Sequence, residues 1–237
     1  PVTVMTVAEG ILERYRRYGW SRPIGEWGAI RTAQTSYHSL LENGAPEDIE
    51  YTFRRMFRHP EVNGIVSIRV NGGQPDQVAH LMDRLVGQNV AAWKGTGERD
   101  IARLAAPALG EPNVAVVGST PIMLDTPRHD HYAANIGRLL PLTGTVLEIG
   151  SGNGGMALQV KRRNPKIQMV LCDLPETLYL AWYWLNHALP EASIGWIDED
   201  STASIVLLPA NALDQIKTAN VWFAAHSLCE MPQSEIT

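Results

Sequence analysis

Residues 145–176, TVLEIGSGNGGMALQVKRRNPKIQMVLCDLPE, decide the fold. Thr145 to Ile149 is a short apolar, β-branched run of the kind that forms a buried parallel strand. Gly150, Ser151, Gly152, Asn153, Gly154 and Gly155 follow as a turn. Met156, Ala157 and Val160 then share one side of a helix that Asn164-Pro165 stops, and a second apolar run from Ile167 to Cys172 ends on Asp173. Strand, glycine turn, helix, strand and terminal carboxylate together predict a βαβ unit of a Rossmann-like α/β sheet.

The chemistry of such a unit points to a nucleoside-bearing ligand. Glycines let the backbone and the amides of the helix N-terminus come within contact distance of it, where a Cβ would collide. An acid at the tip of the next strand, here Asp173, accepts hydrogen bonds from ribose hydroxyls. Gly150, Gly152 and Gly155 also satisfy the dinucleotide pattern G-x-G-x-x-G, so the turn alone leaves the nucleoside open. Glu148 tips the choice. A carboxylate two residues before the first glycine repels a pyrophosphate, whereas it suits S-adenosylmethionine, which has no phosphate and carries a sulfonium and an ammonium. S-adenosylmethionine is therefore the expected cofactor, with NAD-type ligands behind it. A turn that binds nothing has little need of four glycines in six residues.

Composition narrows the classes of function. The chain has 237 residues, a hydrophobic content of 45%, a charged content of 19% and a formal net charge of -5, the profile of an ordinary folded domain rather than of a protein that grips phosphate backbones. No apolar run reaches the length of a membrane span, so the sequence predicts a cytoplasmic protein that engages neither nucleic acid nor membrane. Cys172 and Cys229 read as buried free thiols.

Before the glycine motif, residues 1–108 read as a mostly helical region and residues 109–237 as the Rossmann-like, S-adenosylmethionine-binding domain. Ala8, Ile11, Leu12, Tyr15 and Tyr18 recur at helix spacing up to Gly19, with Arg14, Arg16 and Arg17 expected on a solvated face. Further helices are expected after Pro46 and Pro75 and around Ile101 to Ala105, with a strand or extended arm from Glu61 to Val70. Trp20 and Trp27 flank a Pro- and Gly-punctuated loop and suit core packing better than a sugar pocket. This region is expected to cover the cofactor domain, contact substrate or build a homodimer. Asn113 to Val117 and Pro121 to Leu124 are short apolar runs. A polar stretch from Asp125 to Tyr132 then enters a helix with Asp130 as its expected N-cap. Third and fourth strands are expected at Ser204 to Leu208 and Asn220 to Ala225, in sheet order 3-2-1-4. The sheet stops there, incomplete at its C-terminal side, leaving an apolar edge for a further segment or a partner.

Three stretches, LEIGSGNGG (Leu147 to Gly155), DLPETLYLA (Asp173 to Ala181) and HSLCEMP (His226 to Pro232), resemble a family of proposed sugar O-methyltransferases in the class I S-adenosylmethionine-dependent superfamily. The resemblance covers about Leu109 to Met231 and implies methyl transfer to a sugar hydroxyl. It places Glu148, Gly150, Ser151, Gly152 and Gly154 around the methionine portion, Asp173 at the ribose and Leu174 against the adenine. Tyr132 is a further candidate for the cofactor's carboxylate.

Methyl transfer from a sulfonium is an in-line displacement, and an alcohol needs help losing its proton. His226 is the first candidate base, with Glu230 to orient it or to bind a sugar hydroxyl. His129, His131, Asp125 and Asp130 lack a tight metal-ligand spacing, and no metal is expected. Methylation of a non-sugar metabolite, or a cofactor-binding inactive partner of another methyltransferase, are the competing functions.

Overall fold

Two parallel strands, β3 (Gly144–Ile149) and β4 (Ile167–Asp173), form the centre of a computed structural model that describes residues 6–20, 34–59, 62, 75–225 and 227–230, without the side chains of 75–78, 229 and 230. Their register sets Ile149 opposite Cys172, so β3 gives out into the glycine turn just where β4 gives out into Asp173. Strands β5 (Ile194–Trp196), β6 (Ile205–Pro209) and β7 (Val221–Phe223) complete a five-stranded, all-parallel sheet in the order β5-β6-β4-β3-β7. This is the expected 3-2-1-4 order with one addition, the edge strand Ile194–Trp196, which the sequence reading missed. The fold is Rossmann-like α/β, and the helices that precede the sheet make the N-terminal region mostly helical.

Both faces of the sheet are apolar, as buried parallel strands require. Val146, Met169, Leu171, Ile205 and Leu207 face the helices α5 (Thr126–Leu139), α6 (Gly155–Arg163) and α7 (Pro175–Ala188). Leu147, Val170, Cys172, Val206 and Leu208 face a 3₁₀ turn, Ala210–Gln215, and the chain that follows it. Burial holds the Cys172 thiol up at about 12, so it is an inert core group. Lys161 in the last turn of α6 is nearly buried, and its Nζ donates to the carbonyls of Pro165 and Ile167, tying the end of the helix to the start of β4.

The N-terminal helices pack on α7. Helix α1 (Val7–Tyr18) opens with a reciprocal Thr6–Glu9 capping box and ends at Gly19, whose N–H donates to the Tyr15 carbonyl. Where its Gly10 meets Trp182, a Cβ would collide with the indole ring. Arg14 does not lie on a solvated face. Its guanidinium sits 4.0 Å over the Trp182 ring and pairs with Glu199 at 2.6 Å, while Arg17 pairs with Asp198 and Glu199. Helices α2 (Thr35–Asn43) and α3 (Pro46–Phe53) add Tyr37 and Phe53 to an aromatic layer with Tyr179, Tyr183 and Trp196. Trp20 packs on Tyr37 and His38, the core role expected of it. Trp27 and the stretch from Glu61 to Val70, apart from the buried Val62, lie outside the described residues.

Helix α4 (Pro75–Gly95) and the 3₁₀ turn Ile101–Leu104 pack on an antiparallel hairpin, β1 (Val114–Val117) with β2 (Thr120–Met123), around Val86, Val90, Trp93, Leu104, Ala115 and Ile122. Asp130 joins this unit to the sheet. It is not the N-cap of α5, which begins four residues earlier with Asp125 at the cap position and Pro127 in its first turn. Asp130 lies fully buried inside the helix, taking Arg163 Nε and Nη2 at 2.8 and 2.5 Å and Trp93 Nε1 at 2.7 Å. Arg163 in turn pairs with Glu98 at 2.8 Å. Truncating a buried pair strands the other charge, so Asp130→Ala is expected to lower unfolding free energy by about 3–5 kcal/mol in denaturant titrations. A loss under about 1 kcal/mol would show that the pair does not hold these elements together.

Candidate active site

The sheet's order reverses between β3 and β7: the chain runs outward from β3 through β4 to the edge strand β5, comes back one place to β6, then crosses to the other side of β3. Open α/β sheets bind ligands beyond the strand tips at such a point. The glycine turn, Asp173, Leu174 and the short helix α8 (Ser227–Glu230) all gather there. A groove of about 560 Å³ lined by Arg138, Leu142, Asn164 and Lys166 lies at the other end, beside the starts of β3 and β4, away from these residues.

The glycines have different reasons to be glycine. At Gly150 a Cβ would run into the Cβ of Ser227, whose hydroxyl donates to the Ile149 carbonyl at 2.5 Å. A Cβ on Gly154 would strike Leu185 of α7, and one on Gly155 would meet the His129 ring. These three are close-packing glycines. Gly152 differs: its φ is 55°, and no described residue lies within 4 Å of where its Cβ would be. Its side of the turn is open to a ligand, and its backbone holds the left-handed conformation that glycine adopts without strain.

Asp173 reaches across to this open residue. Its Oδ2 accepts the Gly152 N–H at 2.8 Å and its Oδ1 accepts the Leu174 N–H at 2.7 Å. Two backbone amides satisfy a carboxylate well. Leu174 itself occupies the N-cap position of α7, half-buried beside the acid.

Glu148 has the opposite environment. It pairs with Leu171 on β4 and Phe223 on β7, is 5% exposed, and its Oε2 has no hydrogen-bond partner among the described residues. Burial raises its carboxyl well above the usual carboxylate range, and the negative charge of Asp173 raises it further. The Ser151 hydroxyl is likewise buried without a partner among the described residues. Two orphaned polar atoms of opposite capability, beside an open backbone residue, are what a site shows when its complement is a ligand.

Helix α5 supplies the wall. Tyr132 is half-buried, with its ring 5.0 Å from that of Phe223. His129 packs against Gly155, and burial lowers it to about 4, with Arg128 contributing and Asp125 opposing, so it is uncharged at neutral pH. The acids and histidines near it have separate partners: Asp125 pairs with Arg128, Asp130 with Arg163, and His131 with Asn135. Among the described residues no three His, Cys, Asp or Glu side chains come together to hold a metal ion. His226 and the side chain of Glu230, the candidate catalytic pair, lie outside what is described, although Ser227 beside them is seated against the turn. His129 is a candidate from the sequence, but its packing against Gly155 is not legible there, because a glycine partner leaves no pattern.

Neither a family model nor a curated protein matches the chain. Among solved structures, a proposed O-methyltransferase of Nostoc punctiforme PCC 73102 is similar at a TM-score of 0.21 and 11% identity over 77% of this chain. The match spans 58% of that protein's length. Among the described residues no helix is long and apolar enough to cross a membrane.

Glu148 yields a sign for pH dependence. Because folding raises its pKa, the folded protein holds a proton that the unfolded chain releases above 4.5, so this contribution to stability is full below that value and declines as pH rises. Glu148→Gln removes the decline. Its melting temperature relative to wild type is expected to climb steadily as pH increases from 4.5 toward neutrality, following up to about 1.4 kcal/mol per pH unit. A difference that does not change with pH would show that the group ionises freely in the fold.

Proposed function

We propose that the chain is a cytoplasmic S-adenosylmethionine-dependent methyltransferase acting on a hydroxyl of a sugar or glycosylated small molecule. The observation that carries this reading is the pairing of an open Gly152 with the buried Glu148, whose Oε2 has no partner among the described residues, at the sheet's switch point. A diphosphate would meet the negative charge of Asp173 and find no cation at Glu148, while a ligand carrying ammonium and sulfonium charge complements both acids. The residues present fit that cofactor. Glu148 would accept from its positive group, the Ser151 hydroxyl would donate to its carboxylate, and Asp173, fixed by two amides, would accept from ribose hydroxyls.

When bound, the cofactor supplies an electrophilic methyl on a positively charged sulfur. What the chain adds is alignment and exclusion of water: Tyr132 and Phe223 form an apolar wall beside the turn, and His129 stays uncharged so as not to oppose a cation. His226, one position before the seated Ser227, takes the proton from the acceptor hydroxyl, with Glu230 orienting it. The sugar acceptor rests on the resemblance carried by DLPETLYLA and HSLCEMP.

Titration calorimetry with S-adenosylmethionine and with NAD tests the cofactor. Heat from the first and none from the second is expected; the reverse would overturn the reading. Gly152→Ala puts a methyl group into the open space and strains the backbone by about 1–2 kcal/mol, so cofactor affinity should fall while the fold survives. Gly154→Ala, which strikes Leu185, is expected to act mainly on stability. His226→Ala should cost about 10²–10⁴ in turnover on a sugar acceptor, and full activity in that variant would remove it as the base.

A further inference from the structure

The two acids at the strand tips are treated oppositely by the fold. Asp173 accepts two backbone amides, Gly152 N–H and Leu174 N–H. Glu148 sits between the neighbouring strands β4 and β7 with an enclosed oxygen that nothing among the described residues contacts as a donor. A carboxylate buried without a donor is unstable, and the available remedy is a proton. Resting on the cofactor reading above, we propose that ligand uptake at this turn is an exchange: Glu148 holds a proton in the free protein and releases it to solvent when the cationic group of the cofactor takes the proton's place.

The surroundings agree with this assignment. Asp173 on β4 is the charged group that acts on Glu148, and its negative charge disfavours a second one nearby. At the position paired with Glu148, β7 presents an uncharged side chain, Phe223. From α5, Tyr132 and the uncharged His129 stand at the same end of the sheet, so no lysine or arginine among these neighbours offers the acid a permanent counter-ion. The cation has to arrive with the ligand, and its arrival makes the ionised acid the favoured form. The site thereby selects ligands by charge: a neutral nucleoside gains nothing from Glu148, and an anionic one meets Asp173.

The exchange has a direct readout. Calorimetric titration of the intact protein with S-adenosylmethionine at neutral pH, repeated in buffers of different ionisation enthalpy, is expected to show release of about one proton per cofactor bound. Affinity should rise with pH by up to about tenfold per unit while the free site holds its proton. In Glu148→Gln the release should vanish and binding should lose its pH dependence. Cofactor binding by the wild type without proton release overturns the exchange and leaves the cofactor reading intact, and release that persists in Glu148→Gln overturns the assignment to this residue. Absence of any binding overturns the cofactor reading and the exchange with it. Carboxyl NMR of the free wild-type protein gives a second measurement independent of the variant's folding. A protonated Glu148 at neutral pH is expected, and an ionised one overturns the proposal.

Discussion

The parallel register of β3 on β4 is the constraint from which the site follows. With Ile149 opposite Cys172, the amides of Gly150 and Ser151 both fall on the Cys172 carbonyl, at 2.8 and 3.4 Å, and the turn is held to the neighbouring strand before it enters α6. That anchoring puts Gly152 within reach of Asp173, 21 positions later in the chain. Side chains alternate along a strand, so a shift of one residue would send Glu148 to the opposite face and separate the turn from the acid. Strand pairing, turn shape and the placing of both carboxyl groups are thus one arrangement.

The helices around the sheet serve this arrangement from two sides. Helix α7 fixes the turn from one face through Leu185 against Gly154, and α7 is itself pressed home by the N-terminal helices, with Trp182 lodged against Gly10 and under Arg14. Helix α5 fixes it from the other direction through His129 against Gly155, and α5 is anchored by Asp130 to Arg163 and Trp93. Interiors packed to this density transmit displacement, so residues far from the strand tips share control of the turn.

The parts of this structure that were legible in the sequence are those with local causes. The strand–turn–helix–strand unit, the stop at Asn164-Pro165, the cap at Gly19 and the order of the four principal strands follow from periodicity, from glycine and proline, and from the short connections of a βαβ chain. The strand Ile194–Trp196 was not legible, because three residues with a glycine at the centre carry no alternation to recognise. Nor were Asp130 and Arg14. Their partners lie 33 and 185 positions away, and a buried ion pair and an exposed one look alike until the fold brings the second charge. Read locally, Asp130 is a good helix cap, and the tertiary pair with Arg163 overrides that preference.

The same distinction explains why Glu148 could be singled out in the sequence although its state could not. Its place before the glycines marks it as an acid near a ligand, but whether it is charged depends on what the flanking strands and helices put around it. Among the described residues they put nothing that donates to its Oε2. A leucine would fill this position in a β-strand core more favourably than a carboxyl group that must stay neutral or find a cation. A residue that breaks the rules of its own surroundings, beside a glycine left open by the described residues, is better accounted for by what the site receives than by what the fold needs.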